Sequence, residues 1–211
     1  SRGLGDVYKR QVYINGEYGF IRDGKPVFPE YSDGIHCAPL APVAKVVIKR
    51  GWDFGLTPAC VLTQVTPDGR WLILDELTAE DLGIETFSDA LLRHCAQNYS
   101  EFSFEDYGDP AGDAKSQTDE KTCFQILRGK GIKIQPGDQT LTLRLESVRK
   151  PLNTLIKGKP QLQIDPRCKV LRRGFMGRYQ YKRVKITGSG ERFHDMPDKN
   201  DYSHPHDALQ Y

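Results

Sequence analysis

The sequence predicts an α/β protein in which a mixed sheet is flanked by helices, and three observations predict this fold class. Three strand-like segments joined by short connections are typical of an antiparallel meander. Helix-like and strand-like segments then alternate to the last residue, as they do in α/β folds. One long segment, 140–156, has apolar residues spaced by four and three positions, the pattern of a helix with one buried face.

The individual elements follow from local signals. Strands are predicted where β-branched and aromatic residues cluster between turn residues, at 43–48, 59–66, 70–77, 102–107, 132–134 and 179–186. Helices are predicted where apolar residues recur every three or four positions, at 85–97, 120–131, 140–156, 166–175 and from 203 onwards. Ser88 and Asp89 are expected on the outer side of the first helix, Arg144 on an outer face of the third, and Ser203 as the cap of the last. In this order of elements, the first and fourth strands lie side by side and a late helix packs across them.

The composition excludes several classes of protein. The 211 residues are enough for a substantial core, and no apolar run approaches the ~20 residues that span a bilayer. Five cysteines are scattered without a CxxC pair, which is typical of reduced thiols in a cytosolic protein. The chain contains no GxxxxGK[ST] motif, so no ATPase-type phosphate-binding loop is expected in it.

Charge is distributed unevenly along the chain. The segment from Asp75 to Glu120 contains 13 acidic residues and only two basic ones, Arg93 and Lys115, so its net charge is −11. The segment from Arg128 to Lys185 contains 16 basic residues and three acidic ones, so its net charge is +13. Such a division suits a protein that grips a polyanion and holds a cation, although charge runs are more often solvated surfaces.

The first 42 residues differ in character from the rest. Residues 1–11 have no amphipathic period and look like translated sequencing adapter, so they are interpreted as a dispensable, non-native tail. Residues 12–42 are rich in turn signals and prolines and are predicted to form loops with short extended pieces. The compact domain is therefore expected to comprise residues 43–211.

Three aspartates stand at the ends of predicted elements. Asp53 lies in GWDFG after the first strand, Asp109 in GDPAG after the fourth, and Asp207 in the first turn of the last helix. The predicted topology brings these positions into one cleft. Three clustered carboxylates repel one another without a cation, and carboxylate oxygens select hard divalent ions such as Mg²⁺ or Mn²⁺. Two such ions support in-line phosphoryl displacement, so the trio predicts a metal-dependent phosphodiesterase.

These residues resemble the nuclease domain of the large terminase subunit of tailed double-stranded DNA phages, which has an RNase H-like fold. The resemblance covers Gly16 to Tyr211 and is carried by GWDFGLTPACVLTQVTPDGRWLILDEL, GDPAG and KNDYSHPHDALQY together. GKPVFPEYSDGIHCA is similar to the segment that joins the ATPase motor to the nuclease in that family. The resemblance implies that residues 12–42 are this linker and that residues 43–211 are the nuclease domain of a longer protein.

The resemblance also implies an activity and partners. Asp53, Asp109 and Asp207 would bind two Mg²⁺ or Mn²⁺ ions and cut concatemeric double-stranded viral DNA into genome lengths. The full-length protein would work in the host cytoplasm with a portal protein and a terminase small subunit, without a membrane. Two alternatives stay open: another RNase H-like nuclease, such as a junction resolvase or transposase, and a catalytically silent module that binds DNA or docks on a capsid.

Further residues are candidates around this site, each beside a plainer interpretation. Glu76, Asp113 and His204 are possible accessory residues, or else a strand end, a loop carboxylate and a capping residue. Lys115 and Lys199 could meet phosphates near the acids. The predicted DNA-binding residues are basic and have Tyr179 and Tyr181, possible core residues, among them. They are Arg172, Arg173, Arg178, Lys182 and Arg183.

Overall fold

The computed structural model describes residues 24–114, 121–184 and 190–211. The predicted tail 1–11, the first half of the predicted linker, Lys115 and Lys185 lie outside these residues. In the described part of the chain, no helix has the length and apolar character needed to cross a bilayer.

A six-stranded mixed sheet forms the centre of the molecule. Its strands are β2 (Ile48–Asp53), β3 (Ala59–Val65), β4 (Trp71–Thr78), β5 (Phe104–Gly108), β6 (Ile134–Pro136) and β9 (Leu162–Ile164). Their order across the sheet is β6-β5-β2-β3-β4-β9. Strands β2, β3 and β4 form the predicted antiparallel meander, whereas β5 pairs with β2 in parallel. Strands β6 and β9 extend the two edges in parallel. The predicted mixed sheet and the pairing of its first and fourth strands are confirmed.

Two smaller sheets and six helices complete the fold of the part of the chain that the structure describes. The small sheets are formed by β1 (Gly24–Pro26), β10 (Gln180–Val184) and β11 (Arg192–Phe193), and by β7 (Leu155–Ile156) with β8 (Lys159–Pro160). The helices are α1 (Asp33–His36), α2 (Ile84–Asn98), α3 (Cys123–Gly129), α4 (Leu141–Leu152), α5 (Lys169–Arg173) and α6 (Ser203–Gln210). A π-helical turn, Gly174–Arg178, continues α5, and a 3₁₀ turn, Pro110–Asp113, follows β5.

Apolar residues cover both faces of the central sheet. One face packs against α4, α5 and α6 through Val61, Ile73, Val148 and their neighbours. The opposite face packs against α2 and α3. Val27 and Phe28 are buried in the first of these cores, so the described part of the predicted linker packs together with the domain.

Several predicted elements were wrong in detail. The first strand begins at Ile48 rather than at residue 43, because Lys45 has a left-handed φ of 63° and the Gln64 amide holds a turn through Val43 and Val46. The helix predicted at 140–156, which is α4, ends at Leu152, just after Pro151, and a two-stranded hairpin follows it.

Three side chains predicted on outer or capping positions also lie elsewhere. Ser88 is fully buried, and its hydroxyl donates to the Glu85 carbonyl within the same helix. Arg144 is buried, because it projects from the side of α4 that faces α6. Ser203 is the first residue of α6 rather than its cap, and its hydroxyl bonds to the backbone of Asn200.

Candidate active site

Two of the predicted site residues end neighbouring parallel strands. Trp52 and Gly108 are paired in the β2–β5 register, so the next residues, Asp53 and Asp109, leave the sheet at the same edge. The backbone amide of Asp109 donates to the Trp52 carbonyl at 3.2 Å, which ties the two strand ends together. The Asp109 carboxylate also accepts from the amide of Ala111 at 2.9 Å and caps the 3₁₀ turn.

Helix α6 brings the third aspartate to this edge. It lies directly on β2 at Gly51, where a Cβ atom would stand 1.9 Å from the Ala208 carbonyl oxygen. Only a glycine permits so close an approach of helix and strand. Asp207, the residue before Ala208, is buried at this contact, as is Asp53 on the strand below.

The three carboxylates lie close enough to influence common neighbours. Burial raises the pKa of Asp53, and the charge of Asp207 raises it further, against the lowering effect of His204. Burial also raises the pKa of the Tyr211 phenol, with Arg144 opposing, and the charges of all three aspartates add to that rise. Tyr211 therefore lies within electrostatic range of all three predicted site residues.

Positively charged side chains occupy both oxygens of Asp207. Arg144 donates to Oδ1 at 2.8 Å, and its guanidinium carbon lies 4.1 Å from the centre of the Tyr211 ring. Lys199, from the loop before α6, donates to Oδ2. Arg144 is nine-tenths buried, whereas the side chain of Lys199 is 71% exposed.

Two histidines flank Asp207 and have different environments. His204 places Nδ1 2.9 Å from Asp53 Oδ2, and this contact raises the pKa of His204. His206 is fully buried, stacks on Tyr179 and bonds through Nε2 to the Leu171 carbonyl. Burial lowers the pKa of His206 to about 3, which keeps its ring neutral. His204 therefore faces the carboxylates, while His206 is a packing residue.

The donor atoms suit a hard divalent cation, but the described side chains form ion pairs instead. Carboxylate oxygens at adjacent element ends are what Mg²⁺ and Mn²⁺ require. Within the described ranges, no three His, Cys, Asp or Glu side chains are grouped so that they could hold one ion as they stand. Asp207 is engaged by Arg144 and Lys199, and Asp53 by His204. The residue types fit a metal site, and the present side-chain positions do not yet form one.

The two acidic accessory candidates are engaged elsewhere. Glu76 accepts from the backbone amides of Val170 and Leu171, at 2.6 and 2.9 Å, in the first turn of α5. Burial raises the pKa of Glu76 to about 6, although these two hydrogen bonds lower it. Asp113 is exposed at the end of the 3₁₀ turn, 3.7 Å from Arg128. Glu76 thus anchors α5, and Asp113 lies in the turn that Asp109 caps.

The predicted DNA-binding residues fall into two groups. Arg172 is bound in a fork by both carboxylate oxygens of Asp33, at 2.9 and 2.6 Å, and so holds α5 to α1. The other four are exposed on the surface formed by the end of α5 and by β10. Of these, Lys182 pairs with Asp198 at 2.8 Å and Arg183 pairs with Glu191. Their exposed side chains leave this surface accessible to a polyanion.

The loop before α6 connects this basic surface to the carboxylates. The amide of Asp198 donates to the Gln180 carbonyl, and Asn200 donates to the Arg178 carbonyl. Lys199, between these two residues, reaches Asp207. The loop therefore links β10 to Asp207.

Arg144 was not identified as a site residue from the sequence. Its spacing carried a signal, because it lies three residues after Leu141 and four before Val148, within the apolar stripe of α4. A permanently charged side chain at a core position requires a buried partner. Asp207 is that partner.

Comparisons with known proteins agree with the geometry at the level of the fold. No protein-family model and no curated protein matches the chain. Among solved structures, the large terminase of the thermophilic bacteriophage D6E matches all of the chain with a TM-score of 0.66 and 16% identity. The chain spans 51% of that protein.

Two structures of isolated nuclease domains match as well. The P22 large terminase nuclease domain has a TM-score of 0.63 and 10% identity, with 88% of this chain and 89% of that one covered. The large terminase nuclease from the thermophilic phage G20c has a TM-score of 0.55 and 13% identity, with 88% and 96% covered. The chain therefore has the RNase H-like α/β fold of large-terminase nuclease domains, as the sequence predicted.

Proposed function

We propose that this chain is the metal-dependent endonuclease domain of a phage terminase large subunit, which cuts concatemeric viral DNA during genome packaging. One observation carries the proposal: Asp53 and Asp109 end adjacent parallel strands, and α6, which carries Asp207, packs on β2 at Gly51, in a fold shared with solved terminase nuclease domains. Asp53, Asp109 and Asp207 are the proposed catalytic and metal-binding residues.

Two Mg²⁺ or Mn²⁺ ions, when bound, would activate a water molecule and stabilise the leaving oxygen of the scissile phosphate. The chain's own residues orient the proposed ligands for this chemistry. Arg144 retains one oxygen of Asp207 and fixes the orientation of its carboxylate. His204 orients the carboxylate of Asp53 from the solvent side. Glu76 anchors the first turn of α5, and Asp113 lies in the turn that Asp109 caps.

Double-stranded DNA is the proposed partner, held through phosphate contacts that do not read sequence. Arg173, Arg178, Lys182 and Arg183 lie on the exposed surface that leads to the aspartates, and they are its proposed contacts. In the full-length protein, the portal protein and the terminase small subunit would be further partners, and the host cytoplasm would be the place of action.

Plasmid cleavage in Mn²⁺ tests the proposal. Asp53→Asn, Asp109→Asn and Asp207→Asn should each abolish nicking while circular dichroism shows a folded protein. Asp81→Asn, which changes an exposed aspartate between β4 and α2, is the matched control and should cleave like wild type. Cutting restricted to four-way junctions would instead favour a resolvase. DNA binding without cleavage of any substrate would favour a silent module.

A further inference from the structure

Asp207 has two positively charged partners that differ in how firmly the protein holds them. Arg144 comes from the middle of α4, is nine-tenths buried and packs on Tyr211. Lys199 comes from a loop, and its side chain is 71% exposed. The two cations bind opposite oxygens of one carboxylate, so they can be exchanged independently.

The loop can release Lys199 without unfolding. Its backbone is fixed on either side of Lys199, by the bond from Asp198 to Gln180 and by the bonds of Asn200 to Arg178 and Ser203. The lysine side chain alone needs to rotate into solvent. The exposed ammonium group of Lys199 stays in contact with solvent, so a competing cation displaces it more readily than it displaces the buried Arg144. Removal of the buried Arg144 would leave a buried carboxylate without its partner, which is far more costly.

We infer that Lys199 is the resident cation of the metal site: a divalent ion takes its place on Oδ2 of Asp207, while Arg144 keeps Oδ1. Asp207 is then a ligand through a single oxygen. The inference rests on the proposed function, since it assigns a role to a residue that touches a proposed metal ligand. The ammonium group of Lys199 then competes with the metal for Oδ2 of Asp207.

Calorimetric titration with Mn²⁺ in the absence of DNA tests the competition. Lys199→Gln removes the competing charge, and we expect it to bind Mn²⁺ roughly 3- to 5-fold more tightly than wild type. Lys199→Arg keeps the charge and should bind like wild type. Lys182→Gln removes the same charge from the same surface, where Lys182 pairs with Asp198, and should change the affinity less than about twofold.

The outcomes separate the inference from the proposed function. If wild type binds Mn²⁺ and Lys199→Gln binds it equally or more weakly, the competition is wrong while the metal site stands. If Lys182→Gln gains as much as Lys199→Gln, general electrostatics explains the gain and the inference is overturned. If neither wild type nor Lys199→Gln binds Mn²⁺, both the inference and the metal dependence of the proposed function are wrong.

Discussion

At the residue scale, the site contains one carboxylate, that of Asp53, whose charge is unfavourable in the fold alone. The pKa of Asp53 is raised by burial and by Asp207, so the folded protein resists ionising it. Arg144, Lys199 and His204 offset part of this cost through direct contacts. A site with excess negative charge and partial internal compensation is suited to binding an external cation.

Glu76 gives a pH-dependent contribution to stability. Its folded-state pKa is raised from 4.5 to about 6, so its favourable contribution is complete below pH 4.5 and is lost as the pH rises through 6. The shift corresponds to a loss on the order of 2 kcal/mol in the free energy of unfolding. Urea denaturation of wild type and Glu76→Gln at about pH 4 and about pH 7.5 measures it. Wild type should lose that much relative to the variant as the pH rises.

Glu80→Gln, at an exposed position after β4, is the control for this measurement and should follow wild type at both pH values. A difference between wild type and Glu76→Gln that does not change with pH would show that the two backbone hydrogen bonds, rather than the burial, decide the ionisation of Glu76.

The sequence predicted some of these residues and not others, for a physical reason. Asp53, Asp109 and Asp207 stand next to recognisable element ends, so local patterns indicated where each would lie. The contacts of Glu76 with α5 and of Arg144 with Asp207 join residues 94 and 63 positions apart. Such contacts depend on how the helices pack on the sheet, which local spacing does not specify.

At the element scale, the approach of α6 to β2 decides the position of Asp207. The helix backbone touches the strand at Gly51, and a second glycine, Gly174, lies under His206 in the same way. A Cβ atom on Gly174 would stand 2.2 Å from His206 Nε2. Both glycines allow α6 to pack closely enough for Asp207 to lie near the end of β2.

Gly51→Ala should therefore damage both the fold and the site. The added methyl group meets backbone rather than a flexible side chain, so α6 must shift, at a cost of about 1–3 kcal/mol. Gly129→Ala, at a helical position with open space around its Cβ, is the matched control and should be neutral or stabilising by about 0.5–1 kcal/mol. Thermal melts of the two variants measure the difference, and a Gly51→Ala protein as stable as wild type would contradict this packing.

The elements themselves were partly predictable. The meander was recognisable because Pro67-Asp68-Gly69 marks a tight turn between two apolar strands. The start of β2 was misplaced because 43–48 is as β-branched as a strand, and a distant side chain, Gln64, holds its beginning in a turn. Tertiary contacts overrode local propensity there.

At the scale of the whole molecule, the basic half of the chain is divided between holding the fold together and facing solvent. Arg144 and Arg172 are engaged with buried or half-buried carboxylates. Arg173 and Arg178 are exposed beside β10. The net positive charge of this half of the sequence is therefore larger than the charge that the exposed surface offers to a polyanion.

Two neighbouring arginines should then behave differently when changed. Arg173→Gln should weaken duplex binding and make the log–log salt slope, about −4 to −5 for roughly five phosphate contacts, shallower by about 1. Arg172→Gln should chiefly lower stability, by about 1–2 kcal/mol, because it loses the fork with Asp33. Fluorescence anisotropy at several salt concentrations and thermal melts separate these effects. Equal losses of affinity in both variants would place Arg172 on the DNA surface.

The central claim, that the three aspartates form one divalent-metal site, is tested most directly by the melting temperature of Asp53→Asn with and without metal. At a Mn²⁺ concentration about 100 times its dissociation constant, wild type should gain about 2.7 kcal/mol, or roughly 5–10 °C. In EDTA, Asp53→Asn should melt above wild type, because one repelling charge is removed beside Asp207. With Mn²⁺, it should gain much less than wild type, because a ligand is lost. An Asp53→Asn protein that melts below wild type in EDTA and responds fully to Mn²⁺ would show that Asp53 is a structural residue and would contradict the claim.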